Sequence, residues 1–585
     1  MKRSFLLCPL VALVAASSAQ AATIYVSPTA TATSGCSLRS TACALGAGVA
    51  QAMPGDTVVL MDGVYKTPLY PDVSGTPDAW ITFKADQCAT PIIEGAGAAP
   101  DVDSQDTGVG STKSEYIRFE GIVSRGWNIG FGNAWAGGTE EDRKSNGNWQ
   151  IEHCVSYSNG RTGFTFFSAD NFSLKHSISA HNGTSTIHSW SSGVTLFEAS
   201  GTNVVEGSIS FENTDEQKHT DGSGFIVDEE SNGVLFLNNI AFGNSGSCFR
   251  LTRSGGTKFI NNTCYRNTQF GSMATGPTDP GEIYFTGNGG PTVVGVTFKN
   301  NVIVATGEAP AGSIPIHNQP TSGWESSTNI VTTNAAMLFT DATATNPNFV
   351  PSAGATTLVG KASSGNGAPD NDIGFDPKCL VKRKPVMVGA IASLSHWQFD
   401  VDIDYIKSLG GVAKCFNPGM RTAPSEIGAY KKGAITAIAP GSCVPPPPDP
   451  VVMMGGAGGM AAGGGTGLAG ASSAGGSPSA QGGANSAAGG PSNTTGGSLA
   501  ATGGAAPTAG NASSNGGVVG AGGSSSGVAG GPQAGAPVTP AATEASGCGC
   551  RVATEADARH SLLALAAVSL GLAVARRRRQ SRSPR

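Results

Sequence analysis

Between His188 and Arg253 the sequence brings together two histidines (His188, His219), a tryptophan (Trp190), three cations (Lys218, Arg250, Arg253) and nine carboxylates, of which Asp215, Glu216, Asp221, Asp228 and Glu229 fall near the others. Each type has its own chemistry. A histidine exchanges a proton near neutral pH, guanidinium groups clamp carboxylates through paired hydrogen bonds, an indole offers a stacking face, and Asp or Glu oxygens hold a hard cation such as calcium. The mixture suits an anionic sugar chain, with His188, Trp190 and Arg253 as binding residues and Asp215, Glu216, Asp221, Asp228 and Glu229 as oxygen donors. The plain alternative is a surface ion pair between Arg250 and Asp228 beside two ordinary loop histidines. What separates the two is whether the fold gathers these side chains in one neighbourhood.

A repeated phrase from Phe119 to Gly307 supplies the fold. Lined up on Ile151, Leu174, Val205, Phe236 and Phe259, the segments carry Val155, Ile178, Ile209, Ile240 and Thr263 four residues on, and Tyr157, Ala180, Phe211, Phe242 and Tyr265 six residues on. Eight residues on stand Asn159, Asn182, Asn213, Asn244 and Asn267. Spacing by two predicts strands with one buried face, and a polar residue once per unit predicts a turn stacked on its neighbours. Asparagine there can bond the same group one rung along. A second asparagine column, Asn238, Asn261 and Asn300, lies two residues past the anchor, where the first turn belongs. A third strand reads Gly163-Phe164-Thr165-Phe166, Gly193-Val194-Thr195-Leu196, Gly224-Phe225-Ile226-Val227 and Cys248-Phe249-Arg250-Leu251, its middle member facing out. A sandwich needs tight Asn-Gly or Asp-Gly hairpins between most strands; unequal coils around a constant phrase predict an all-β solenoid instead. We read a right-handed parallel β-helix, its hand set by the rule for parallel crossovers. A short helix within residues 42–53 is expected to cap the open end of the stack.

Coil length then locates the site. The loops after Asn159 and Asn244 are short, whereas those after Asn182 and Asn213 are long and equal, so two adjacent rungs bulge together. In register, His188 falls near His219, at the ~4.8 Å separation of neighbouring strands, and Trp190 near Asp221. Arg250 continues the outward column Thr165, Thr195, Ile226, and Asp228 continues the column Phe167, Phe197.

The rest of the chain sets the context. Lys2 and Arg3, an apolar run over 5–15 and Ala-Gln-Ala ending at Ala21 read as a secretory signal peptide over 1–21, ahead of a β-helix domain over 22–432. The phrase fades from Thr333, where 372–375 and 425–430 read as irregular closing segments. Residues 433–546, proline and then a Gly, Ala and Ser tract, are expected to be a disordered stalk. The tail over 547–585 holds Cys548-Gly549-Cys550, an apolar run over 561–575 and four arginines, Arg576 to Arg579. As a helix that run spans about 22 Å, short for a permanent membrane span. The expected product is exported, monomeric and attached to a membrane or cell surface by its tail. With 36 Lys plus Arg against 41 Asp plus Glu there is no electrostatic footprint for nucleic acid, and without Gly-Lys-Ser or Gly-Lys-Thr there is no phosphate loop. Disulfides are expected, with Cys36–Cys43 and Cys379–Cys415 as the readable pairs.

Two resemblances add to this reading. The tail, with a cysteine motif, a short helix and an arginine cluster in order, resembles the sorting tails of myxobacterial surface proteins, which implies removal of the tail and a surface or extracellular location. The coils and the run from Asn244 to Leu251 resemble β-helical polysaccharide lyases, especially the pectate lyase family with its Gly-Phe-Lys-Leu strand. That resemblance implies β-elimination on a uronate polysaccharide, with Arg250 in the place of the catalytic lysine. Arg250 is therefore the first choice of base; His219 is the chemically easier rival, since arginine holds its proton to a pKa above about 12, and Lys218 assists either. The family's aspartate cluster for calcium would end at Ile226, which cannot be a ligand; Asp221, Asp228 and Glu229 stand near enough to replace it. Two other readings stay open: a glycoside hydrolase using Asp221 and Asp228, and a non-catalytic sugar-binding or adhesin-like surface.

Overall fold

The computed structural model describes residues 21–449 apart from 98–101, 103–105, 112, 134–146, 270–280, 287–292, 306–313, 320–321, 343–345, 364–368, 384–395, 422–425, 434–437 and 448. The segments read from sequence as signal peptide and C-terminal tail, and most of the one read as stalk, lie outside the described residues.

Three parallel sheets of 11, 10 and 8 strands run along the chain, and each coil from Ile81 to His317 gives one strand to each sheet, which is a parallel β-helix. The anchors pair in the order the sequence implies: Ile151 with Leu174, Leu174 with Val205, Val205 with Phe236, Phe236 with Phe259. All five point into the coil, where Phe236 stacks on Phe259 at 5.2 Å and Phe225 on Phe249 at 5.1 Å. Such rungs of like side chains fill the interior at each level. The helix Leu45–Gln51 packs Leu45 and Val49 onto the first strand, Thr23–Val26, and caps the end as expected.

The second sheet differs from its sequence reading in having both faces buried. The apolar residues four and six past each anchor, such as Ile209, Phe211, Ile240 and Phe242, point outward and form a second core with Phe349, Phe375, Phe399, Leu409 and Tyr430. The serines between them point inward, where Ser156, Ser179 and Ser210 donate to the carbonyls of Gly163, Gly193 and Gly224 at 2.7 to 2.8 Å. The segments around Ile373 and Ile427 therefore close the flank of the second sheet, because its outward rows need cover.

The eight-offset asparagines form the expected ladder. The side-chain amides of Asn159, Asn182, Asn213 and Asn244 each donate to the next asparagine's oxygen at 2.7 to 2.9 Å, and Asn267 ends the row on Glu282 at 2.7 Å. The second asparagine column forms the first turn as expected, and a second ladder that the sequence reading did not mark lies one residue past it. Asn239, Asn262, Asn301 and Asn329 bond one another, while Asn238, Asn261 and Asn300 supply the left-handed backbone of the turn.

Cys36–Cys43 and Cys379–Cys415 are bonded as expected, and Cys248–Cys264 and Cys88–Cys443 are two further disulfides. The last ties residue 443, read from sequence as linker, to the β-helix. Among the described residues no helix is long and apolar enough to cross a membrane.

Candidate functional site

The two long loops do lie together. Thr214 donates its backbone N–H to Asn182, Glu216 to Gly183 and Gly222 to Ser191, at 2.7 to 3.0 Å, so the loop of one coil runs over that of the next. This places His188 and His219 at the same position of adjacent loops. The Lys218 ammonium stands 5.1 Å from the centre of the exposed Trp190 ring, a cation on an aromatic face at the rim.

The floor is the third sheet. Its strands Thr162–Phe167, Ser192–Phe197, Ser223–Asp228 and Phe249–Thr252 turn Phe164, Val194, Phe225 and Phe249 inward and leave Thr165, Thr195, Ile226 and Arg250 in one outward column. The column continues to Tyr284 and His317, whose rings stack at 5.0 Å, and the Arg250 guanidinium lies 5.6 Å from the Tyr284 ring.

Arg250 is buried and pairs with Asp221, and its charge also acts on the largely buried Asp228. Its Nη1 donates to Asp221 and, at 3.0 Å, to the Thr220 carbonyl. Asp215 is fully buried, and its Oδ2 accepts from Thr220 N, Thr220 Oγ1 and Asp221 N at 3.2 to 3.3 Å, which fixes the tight turn that presents Lys218 and His219. Glu229 pairs with Arg253, so that arginine is held by a neighbour one strand away. Sequence reasoning missed Arg161, which donates Nε to the Ser189 carbonyl at 3.0 Å and whose charge faces Asp215 and Asp221.

Burial moves the titration of this group. It pushes Asp215 up to about 6, with the Asp221 charge adding, and Glu216 up to about 7, with the Asp215 charge adding. Asp228 is raised to about 6 by burial, against the opposing pull of Arg250. His219 is lowered by burial, which keeps its imidazole neutral at pH 7.

The five expected calcium ligands do not form an oxygen cage. Asp221 and Glu229 are engaged by arginines, Asp215 by its own turn, and Asp228 accepts from Glu229 N at 3.1 Å. Four of the five expected oxygen donors are thus engaged within the protein itself.

No protein-family model matches the chain, and no curated protein does. Among solved structures, the chain is similar to pectate lyase Pel9A, with 17% identity, a TM-score of 0.41, and coverage of 59% of this chain and 93% of that one. It is also similar to an alginate lyase from Paenibacillus sp. str. FPU-7, with 13% identity, a TM-score of 0.33, and coverage of 52% and 99%. A rhamnogalacturonan lyase gives 14% identity, a TM-score of 0.34, and coverage of 55% and 91%. These likenesses concern the coiled architecture.

Proposed function

We propose that the double loop over the third sheet binds an acidic polysaccharide and cleaves it by β-elimination beside a uronate. The observation that carries this reading is the joint placement of His219, depressed and neutral, and Glu216, raised to about 7, on one turn fastened to the buried Arg250. In the proposed step Arg250, Arg161 and Lys218 offset the negative charge of the uronate carboxylate as it grows toward the enolate. His219 takes the proton from C5, the C4–oxygen bond breaks, a C4–C5 double bond forms, and the departing oxygen takes the proton held by Glu216. Arg250 acts as a fixed positive charge in this scheme, since its pairing with Asp221 favours the protonated form over the neutral one a base requires. The pectate, alginate and rhamnogalacturonan lyases named above share the coil and fit the same substrate class, but the reading rests on the site.

One observation favours a second reading. Glu216 and Asp228, with pKa values of about 7 and 6, are carboxyls of the kind that serve as general acids in glycoside hydrolysis. Incubating the full-length protein with pectate, alginate and chondroitin while following ultraviolet absorbance and new reducing ends together separates the two. Elimination raises both signals and hydrolysis raises reducing ends alone. Neither signal with any of the three would overturn both readings and leave a binding surface.

A further inference from the structure

We infer a metal site for a single divalent transition ion of the zinc class at Glu152, His153 and His176, away from the double loop. Glu152 Oε1 stands 3.6 Å from His176 Nδ1 and 3.9 Å from His153 Nδ1, and one donor atom from each of the three residues lies within 4.8 Å of the others. Two donors bound to one ion at ~2.1 Å each sit roughly 3.4 Å apart in a tetrahedron, so small rotations of these side chains bring them onto a common ion. Imidazole nitrogens with a carboxylate oxygen are the donor set that suits zinc and its neighbours better than calcium or magnesium.

The surroundings point the same way. The register that pairs Glu152 with Glu120 and Lys175, and Lys175 with Glu206, aligns Gly121, His153, His176 and Gly207 in one column of left-handed turn residues. Later coils fill that column with Asn238, Asn261 and Asn300. Two coils alone carry imidazoles there, and they are adjacent. Their rings lie parallel, 5.4 Å apart, with Phe416 packed against both. A Cβ on Gly207 would meet the His176 ring at 2.6 Å, so the glycine is what makes room for it. His176 Nδ1 is enclosed without a hydrogen-bond partner, and in the tautomer protonated at Nε2 its lone pair is one that a bound ion would satisfy. Lys175, the nearest cation in sequence, is held by Glu206 at 3.0 Å and leaves the Glu152 carboxylate to the histidines. His153 also lines an open cleft with Glu120, Gly410 and Lys414, which gives an ion a path from solvent. Binding there would cross-brace two coils beside the disulfide-tied segment that carries Phe416.

The test titrates the full-length protein, stripped with a chelator, with zinc chloride by calorimetry, and records the thermal transition with and without zinc. The wild type is expected to bind one zinc ion at this site and to melt higher with it. The double variant His153→Asn, His176→Asn places asparagine where later coils already carry it, so it is expected to fold with unchanged circular dichroism, to lose that binding event and to melt at the same temperature with or without zinc. Zinc binding that persists undiminished in the double variant, or a wild type that takes up no zinc, would overturn the site.

Discussion

The behaviour of single residues in the site follows from burial. Arg250 and Asp221 form a buried pair, so removing either partner leaves an unpaired charge; Arg250→Ala or Asp221→Ala is expected to cost ~3 to 5 kcal/mol in urea unfolding. Replacing both, with Arg250→Met and Asp221→Leu, is expected to recover most of that loss, because no charge is then stranded. Glu216 and Asp228 have folded pKa values of about 7 and 6 against ordinary values of 4.5 and 3.8, so folding takes up protons. The stability they support is complete below the ordinary values and is lost as pH rises through about 6 and 7. Asp228→Asn is accordingly expected to flatten the fall in melting temperature over that window. Arg250, His219 and Trp190 were legible in the sequence because equal loop lengths set their register. Arg161 was not, since it follows the ladder asparagine Asn159 in a short loop that nothing else marks.

At the scale of the element, the asparagine ladder holds the coils in register. Asn213 Oδ1 accepts from both the backbone and the side chain of Asn182, so Asn213→Ala leaves two buried donors bare and is expected to cost ~2 to 3 kcal/mol by chemical denaturation. The ladder ends on Glu282, whose fully buried carboxyl is raised to about 8. A raised folded value means the stability from this group is whole below its ordinary 4.5 and is lost as pH rises through about 8. Glu282→Gln, a permanent mimic of the protonated acid, is expected to remove that loss in a melting series across pH 5 to 9. The first ladder could be read because the same residue recurs at the same offset in five coils. The turn column Asn238, Asn261 and Asn300 was legible as well, but the ladder one residue on was not, because Asn238 and Asn239 are adjacent asparagines and only the backbone shows that the second one stacks. The serines facing inward from the second sheet were hidden by the louder apolar columns on either side of them.

The described residues form a coil with one flank covered. Glu212, fully buried, accepts from the backbone N–H groups of Gln398 and Phe399 at 2.6 to 3.2 Å, while its other contact, His181, stacks on Trp397 at 4.2 Å. These partners lie some 186 residues from Glu212, a separation no periodic pattern reports. That is why the cover was legible only as a fading of the repeat. Cys379–Cys415 and Cys88–Cys443 fasten this cover, so full reduction is expected to lower stability by ~2 to 5 kcal/mol and to expose the apolar rows of the second sheet to a hydrophobic dye. The coil carries the double loop over the third sheet, where we propose elimination with His219 as the base. The most direct measurement is the rate of unsaturated-uronate absorbance from pectate, alginate or chondroitin with the wild type and with His219→Ala. The wild type is expected to generate absorbance on at least one of them and the variant to lose ~100-fold or more of that rate with its fold intact; a wild type that generates none, or a variant that keeps the full rate, contradicts the account.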